Sequence, residues 1–303
     1  MADLDDLLLK TSRTFALAIP YLPEPTRREV SVAYLLFRIA DTFEDGTRWT
    51  RSKRIEALKR FAHLLKQADL PVLKEQTRQW LNPPPVEHAG YLELLEQTAD
   101  VVGELSTMSA GARAIVVRHA ARTAEGMAQV VARADERGNL KLTSLQDLKD
   151  YCYVVAGIVG ELLTELFLHD TPKMKAESAR LLQKNTVAFG EALQLVNILK
   201  DAGDDAKDGR VYLPDSVPRS EVLALARRDL DQAAEYIAAL QHGGAPRGYQ
   251  AFTGVSVMLA RGALTAIEER GAGAKVPRSF VTDVVARLEG ALDSGAELHA
   301  LMR

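Results

Sequence analysis

The sequence lacks the features of several protein classes. It has one cysteine, Cys152, which excludes an intramolecular disulfide framework and fits a reducing compartment. The formal net charge is -3 and the sequence has no basic tail or block, so we expect no nucleic-acid partner.

The N-terminal segment MADLDDLLLK is acidic where a signal peptide is basic. The apolar segment YCYVVAGIVG at 151–160 ends before Glu161, short of the roughly 20 apolar residues of a membrane span. We therefore expect a cytoplasmic protein without an integral membrane segment.

Strand signals are also scarce, because alternating apolar patterns bounded by hairpin turns are missing. Apolar residues instead recur at spacings of three and four along almost the whole chain, which predicts an all-α protein. The predicted helices cover residues 3–19, 24–45, 50–68, 73–81, 89–103, 109–136, 145–169, 173–203, 218–241, 247–270 and 276–302. No long linker, low-complexity stretch or fixed-period repeat separates them, so a single domain over residues 1–303 is the simplest prediction.

The helix predicted around Ser31 to Asp45 carries a narrow polar stripe on an otherwise apolar circumference. Its polar members are Tyr34, Arg38, Asp41 and Asp45, with Glu44 on the border. At about 100° per residue, their spacings of 4, 3 and 4 place them on one face. A surface helix has the reverse pattern, a narrow apolar stripe and a wide polar face. We therefore expect this stripe to face an internal cavity that is wet or holds a metal ion.

A second predicted helix repeats the pattern. Gln194, Asn197, Asp201 and Asp205 are spaced by 3, 4 and 4 residues, and the stripe is extended by Glu191 upstream and bordered by Asp204. Carboxylates at a helix C-terminus oppose the helix dipole unless a cation is nearby. A solvated helix end is the alternative for either cluster alone, but the repetition favours a bound cation.

Carboxylate oxygens without adjacent cysteine or histidine ligands suit Mg²⁺, which also binds substrate phosphates. Helical di-iron proteins, the metal-carboxylate oxidase alternative, use Glu-x-x-His pairs, and none of the six histidines has a glutamate three residues upstream. A non-catalytic helical scaffold would not need a doubled internal acidic stripe. Facing acidic helices that bind Mg²⁺ and a diphosphate are therefore the favoured interpretation.

The chain resembles the squalene/phytoene synthase family in five motifs that occur in the family's order. These motifs are SRTFA at 12–16, YLLFRIADTFED at 34–45, EGMAQVV at 125–131, YCYVVAGIVG at 151–160 and LVNILKDAGDDAKDGRVYLP at 195–214. The resemblance implies the all-α isoprenoid synthase fold, a helical bundle around a central cavity. It also implies an enzyme that joins two prenyl diphosphates head to head.

The resemblance implies roles for individual residues. The implied Mg²⁺ ligands, with Mn²⁺ as the alternative ion, are Asp41, Glu44, Asp45, Asn197, Asp201 and Asp205. The implied substrate-binding residues are Ser12, Arg13, Phe15, Tyr34, Arg38, Gln194, Asn197, Lys200, Arg210 and Tyr212. The implied catalytic residues are Tyr151, for proton handling or cation stabilisation, together with Arg38 and the four aspartates of the two stripes.

Two positions depart from the family pattern. Lys200 stands where arginine is usual, so a bidentate contact to diphosphate is not available there. Asp204 stands where glutamate is common. The basic segment RWTRSKR at 48–54 is predicted to be a solvated helix start.

An allylic cation has to be kept from water by apolar or aromatic walls. The candidate wall residues are Phe15, Tyr34, Phe37, Tyr151, Tyr153 and Phe189, with ordinary core packing as the alternative and the favoured one for Phe37. Gly157, Gly160 and Thr164 share a helix face with Tyr153. That face fits either a smooth groove for a prenyl chain or close helix packing, and the resemblance favours the groove.

The motifs do not agree on the product. DTFED is closer to the squalene synthase form, whereas GRVYLP is closer to the phytoene synthase form. We expect two farnesyl diphosphates to give presqualene diphosphate and then squalene or dehydrosqualene, with phytoene from geranylgeranyl diphosphate as the alternative. NADPH is expected only for squalene, and GAGAK at 271–275 is a loop without a dinucleotide fingerprint.

Transient contact with a membrane surface would serve product release, and the sequence leaves the oligomeric state open.

Overall fold

The computed structural model describes residues 3–12 and 15–302, and in them regular structure is helical apart from the two-residue strands β1, Leu140–Lys141, and β2, Arg210–Val211. The all-α prediction is confirmed. The chain divides into two compact units, residues 1–19 with 24–140 and residues 20–23 with 141–303. The single domain over residues 1–303 stays a prediction.

Eight α-helices are described in the first unit. They are α1 (Leu4–Thr11), α2 (Phe15–Ala18), α3 (Thr26–Glu44), α4 (Arg51–Gln67), α5 (Leu70–Trp80), α6 (Ala89–Glu96), α7 (Thr98–Gly103) and α8 (Ala110–Ala132). Short 3₁₀ turns cover Ile19–Tyr21, at the boundary between the units, and Glu104–Thr107. The helix predicted over 3–19 is divided at Ser12, whose extended backbone ends α1.

Helix α3 enters an aromatic core at its C-terminal end. The ring of Phe43 lies 4.7 Å from the Trp80 ring, 5.7 Å from the Trp49 ring and 5.9 Å from the Phe61 ring, centroid to centroid. Burying rings of this size is among the largest contributions that single residues make to a core. This cluster anchors the turn of α3 that carries the first acidic motif.

A buried arginine also holds that turn. Arg54 is 9% exposed, and its guanidinium donates a hydrogen bond to the backbone carbonyl of Glu44. A cation at a helix C-terminus pairs with the negative end of the helix dipole and satisfies a carbonyl that has no partner within the helix. For Arg54 the prediction that the segment 48–54 is a solvated helix start is therefore wrong, since this side chain is a buried helix cap.

Eight helical segments are described in the second unit after residue 141. They are α9 (Leu145–Cys152), a π-helical segment (Tyr153–Gly157), α10 (Ile158–Asp170), α11 (Ala176–Lys207), α12 (Arg219–Gly243), α13 (Arg247–Arg270), α14 (Arg278–Ser294) and, after a break, the single turn α15 (Leu298–Leu301). The break in the helix predicted over 276–302 falls at Gly295, whose φ of 67° is in the left-handed region that favours glycine. Directly after β1, the N–H of Leu142 donates to the carbonyl of Val211 in β2 at 2.9 Å.

Helix α11 approaches α10 and the π-helical segment before it through glycine. A Cβ on Gly160 would overlap the carbonyl oxygen of Thr186, and a Cβ on Gly190 would overlap that of Ala156. The Thr164 hydroxyl on α10 lies 2.6 Å from the Thr186 hydroxyl on α11. The preference for a prenyl groove at Gly160 is therefore wrong, because backbone from α11 fills the space beside it.

The stretch Leu145–Asp170 is the one helix in the described part of the chain that is long and apolar enough to cross a membrane, with a mean hydropathy of 1.6. The segment continues through Glu161, so the length argument made from residues 151–160 was wrong. However, 56% of its most apolar window is buried inside the protein, as in a core helix. The absence of an integral membrane segment stays a prediction that rests on this burial.

Candidate active site

The polar stripe of α3 is the part of this helix that the protein leaves accessible. Within the described stretch from Val30 to Asp45, the half-buried residues are Tyr34, Arg38, Asp41 and Asp45, and all others are buried. The 4, 3, 4 spacing thus identified one face correctly. The Glu44 side chain is only 7% exposed and lies off this face, so its assignment as a metal ligand stays a prediction without support from burial.

Arg38 is held by several groups on this face. Its Nη1 lies 3.2 Å from Oδ2 of Asp41, and its Nη2 donates to the hydroxyl of Tyr34 at 3.2 Å. The Tyr34 hydroxyl in turn donates to the carbonyl of Thr11 at 3.0 Å, which leaves its oxygen free to accept from Arg38. Burial alone would lower the pKa of Arg38, but the charge of Asp41 and the Tyr34 contact outweigh it and raise this pKa. Arg38 is therefore a fixed positive charge.

The negative charge of Asp41 is destabilised by its surroundings. Burial raises the pKa of its carboxyl to about 6, the charge of Arg38 opposes this shift, and the charge of Asp45 adds to it. Two carboxylates close together on one turn are stabilised when a cation lies between them. The turn therefore has the electrostatic character of a cation site whose ligands are all oxygen atoms.

The described residues of the SRTFA segment, which are Ser12, Phe15 and Ala16, include two that lie near this face. The Ser12 hydroxyl accepts a hydrogen bond from the N–H of Phe15 at 3.0 Å, and the Phe15 ring lies 5.4 Å from the Tyr34 ring. The implied diphosphate contact Arg13 lies outside the described residues. Ser12, Phe15 and Tyr34 are thus brought together in the first unit.

The stripe of α11 is accessible in the same way. Gln194, Asp201 and Asp205 are half-buried and Asn197 is exposed. Nζ of Lys200 lies 3.3 Å from Oδ2 of Asp201 and 3.5 Å from Oδ1 of Asn197. The lysine is thus placed as a single charge beside two of the implied metal ligands.

The two other acidic residues of this pattern differ in exposure from the residues of the stripe. Asp204 is 82% exposed and pairs with Lys207 at 2.8 Å, which lowers its pKa through that hydrogen bond and charge. Glu191 is 8% exposed, and burial followed by the charge of Asp229 on α12 raises its pKa to about 7. Glu191 is therefore buried where the other residues of the α11 stripe are accessible, and its extension of the stripe stays a prediction.

Tyr151 and Tyr212 form a buried pair in the second unit. Their rings stack at 4.6 Å with an interplanar angle of 23°, and they are 4% and 7% exposed. Tyr212 therefore packs on Tyr151, and its assignment as a substrate-binding residue stays a prediction. Arg210, whose side chain is 21% exposed, lies 3.5 Å from Asp208.

The remaining candidate wall residues have different environments. Phe37 is buried, and Phe189 is buried with its ring stacked on Tyr236 at 4.9 Å, so both belong to the core. Tyr153 is half-buried and donates to Oε1 of Glu161 at 3.0 Å. Its ring covers Gly157, where a Cβ would lie 2.8 Å from Cδ2 of the tyrosine. Tyr153 thus remains a wall candidate.

The donor set can be tested against the metal that the resemblance implies. Over residues 3–12 and 15–302, no three His, Cys, Asp or Glu side chains converge on one metal position. Each acidic stripe instead offers two half-buried aspartates, Asp41 with Asp45 and Asp201 with Asp205. Mg²⁺ is commonly bound by one or two carboxylates together with water and substrate phosphate, so this donor set fits Mg²⁺ delivered with a diphosphate.

Sequence reasoning missed two residues near these sites. Tyr91, on α6, lies against Arg38, and Arg54 caps the turn that carries Asp41 and Asp45. Both belong to segments without a motif, and their spacing relative to α3 carries no periodic signal. Only the packing of α4 and α6 against α3 reveals them.

Known proteins are similar to this chain over much of its length. The sequence model of the squalene/phytoene synthase family matches residues 8–220. The squalene synthase of Schizosaccharomyces pombe is 28% identical over 210 residues, which cover 69% of this chain and 43% of that protein. The human squalene synthase is 29% identical over 215 residues, which cover 69% of this chain and 45% of that protein. The chain thus aligns with less than half the length of these curated relatives.

A solved structure shows the same fold. The complex of TcSQS with the ligand E5700 superposes with a TM-score of 0.77 at 19% identity, over 99% of this chain and 98% of that chain. The architecture is therefore the all-α fold of the terpenoid synthases. Together with the family match over residues 8–220, this shows that the chain belongs to the squalene/phytoene synthase family.

Proposed function

We propose that the protein is a Mg²⁺-dependent prenyltransferase that condenses two prenyl diphosphates head to head through a cyclopropylcarbinyl diphosphate. The observation that carries this proposal is the accessible stripe of α3, where Arg38, Asp41 and Asp45 are half-buried on an otherwise buried helix. Membership in the squalene/phytoene synthase family and relatives that are squalene synthases support it.

The chemistry requires a poor leaving group to depart. Asp41 with Asp45 in the first unit, and Asp201 with Asp205 in the second, would each hold Mg²⁺, which when bound neutralises the charge that develops on the departing diphosphate. The fixed charge of Arg38 would bind a diphosphate oxygen on the same face. Lys200, Asn197 and Arg210 would make the corresponding contacts in the second unit.

The allylic cation then has to be protected from water. Tyr34 and Phe15 in the first unit and Tyr153 in the second present half-buried rings, whose faces attract a cation and exclude solvent. Tyr151 is fixed by its stack on Tyr212, which suits a residue that stabilises a cation or passes a proton.

For the product we propose squalene or dehydrosqualene from farnesyl diphosphate, with phytoene from geranylgeranyl diphosphate as the alternative. NADPH is required only if the reaction ends by reduction. The product is a hydrocarbon, so we also propose a cytoplasmic protein that touches membrane surfaces transiently.

The test is to incubate the purified protein with each prenyl diphosphate and Mg²⁺, with and without NADPH, and to identify the hydrocarbon by gas chromatography and mass spectrometry. Asp41→Asn and Asp201→Asn should each lower turnover by at least about 100-fold, because each removes a negatively charged metal ligand. Asp283→Asn on the exposed surface of α14 is the matched control. Full Mg²⁺-dependent turnover in either stripe variant would refute the metal-site assignment.

A further inference from the structure

Arg38 has an aromatic neighbour that does not belong to its own helix. Its guanidinium carbon lies 5.6 Å from the ring centroid of Tyr34 and 5.6 Å from that of Tyr91. Tyr34 and Asp41 contact Arg38 from α3 itself, whereas Tyr91 reaches it from α6. The guanidinium therefore contacts two aromatic rings, and the second ring depends on tertiary packing.

The position of Tyr91 is itself well fixed. Its backbone N–H donates to Nδ1 of His88 at 3.3 Å, which caps α6, and its ring lies 4.2 Å from the His88 ring. A Cβ on Gly90 would lie 2.8 Å from the carbonyl oxygen of Lys10, so α6 lies very close to α1 at this point. The Lys10 ammonium also pairs with Glu93 at 2.8 Å. Helix α6 is thus held at its first turn, and Tyr91 with it.

A ring that restrains a long side chain such as Arg38 lowers the conformational entropy that this side chain loses on binding an anion. Arginine loses much rotamer freedom when it is immobilised, so a guanidinium that already contacts two rings gives up less freedom when it binds an anion. Cation–π contact leaves the N–H groups at the edge of the guanidinium available for hydrogen bonds. Tyr91 can therefore restrain Arg38 without occupying the donors that an anion would use.

We infer that Tyr91 is a positioning residue for Arg38 and that its ring holds the guanidinium ready for a diphosphate. The identity of this anion rests on the proposed function, whereas the contact between Tyr91 and Arg38 does not. No sequence motif contains Tyr91, and its role follows from the placement of α6 beside α3.

The experiment compares Tyr91→Leu, which removes the ring, with Tyr91→Phe, which keeps the ring and removes the hydroxyl. Binding of inorganic pyrophosphate in the presence of Mg²⁺ is measured by calorimetry. Y91L should bind about 5- to 20-fold more weakly, as expected for the loss of one partly desolvated cation–π contact. Y91F should bind within about twofold of the wild type. If Y91L does not fold, Tyr91→Met repeats the comparison with a flexible apolar side chain.

A second readout is independent of diphosphate. Phenylglyoxal modifies accessible arginines, and mass spectrometry measures the rate at Arg38. This rate should rise several-fold in Y91L and stay unchanged in Y91F. Modification of Arg48, whose charged contact is with Glu87 at 3.4 Å, serves as the internal control and should be the same in all three proteins.

The outcomes separate the two proposals. Wild-type pyrophosphate affinity in Y91L, or equal losses in Y91L and Y91F, would overturn the positioning role of the ring. If the wild type fails to turn over any prenyl diphosphate while Y91L still exposes Arg38 to phenylglyoxal, the proposed function is overturned and the positioning of Arg38 by Tyr91 is supported.

Discussion

Glu191 and Asp229 give the sharpest stability prediction, because they place two carboxyl groups inside the second unit. Glu191 on α11 is 8% exposed and Asp229 on α12 is 5% exposed. Burial raises the pKa of Glu191 to about 7, with a further contribution from the charge of Asp229 and opposition from Lys149. Burial also raises the pKa of Asp229 to about 6, opposed by Arg228 and Lys149. We predict that Glu191→Gln makes the protein more stable at alkaline pH.

The sign follows from proton linkage. An unfolded glutamate titrates near pH 4.3, so between that pH and about 7 the folded protein holds a proton on Glu191 that the unfolded chain has released. Stability therefore falls as the pH rises through this window and stays low above it. At pH 5 the buried carboxyl is largely neutral, and glutamine has nearly the same shape and polarity.

The size of the effect follows from the pKa shift. A rise of roughly 2.5 pKa units at about 1.4 kcal/mol per unit corresponds to about 3 kcal/mol at pH 8. The shifts of the two carboxyls describe one interacting pair and are not added. Glu191→Gln should therefore raise the free energy of unfolding by about 2–3 kcal/mol at pH 8 and leave it nearly unchanged at pH 5.

The assay is urea unfolding followed by circular dichroism at pH 5, 6, 7 and 8. Asp229→Asn should act in the same direction, and Glu269→Gln on the exposed surface of α13 should leave the pH profile unchanged. Parallel stability curves for the wild type and E191Q over this pH range would refute the reasoning. Such a result would mean that the pair is hydrated or neutralised in the folded protein.

Two further predictions concern packing and capping. Gly160→Ala should destabilise the protein by about 2–4 kcal/mol, because the new methyl group would overlap the Thr186 carbonyl on α11. Gly203→Ala is its control, since outside its own helix backbone and chain neighbours no atom lies within 4 Å of the added Cβ, and equal unfolding midpoints in the two variants would contradict the close packing of α10 on α11. Arg54→Met should destabilise by about 2 kcal/mol, because the buried carbonyl of Glu44 loses a charged donor. Arg54→Lys should recover part of this loss in urea unfolding, and a wild-type midpoint for R54M would show that the cap is not needed.

The sequence alone determined the polarity of α3. Spacing by 4, 3 and 4 identified Tyr34, Arg38, Asp41 and Asp45 as one face, and they are the half-buried residues of that stretch. This succeeded because a helix has a fixed period, so a polar stripe in an apolar helix has one geometric meaning. The same rule placed most helices within a few residues of their observed ends.

Contacts between helices were decided only by the tertiary structure. Glu191 has the helical spacing of a stripe residue, yet it is buried near Asp229 because α12 packs beside it. Gly160 has the spacing of a groove, yet the backbone of α11 occupies that space. Tyr91 and Arg54 have no signal in the sequence, because the partner that gives each its role lies on another helix. Helical periodicity determines which residues share a face, whereas the packing of distant segments determines what each face meets.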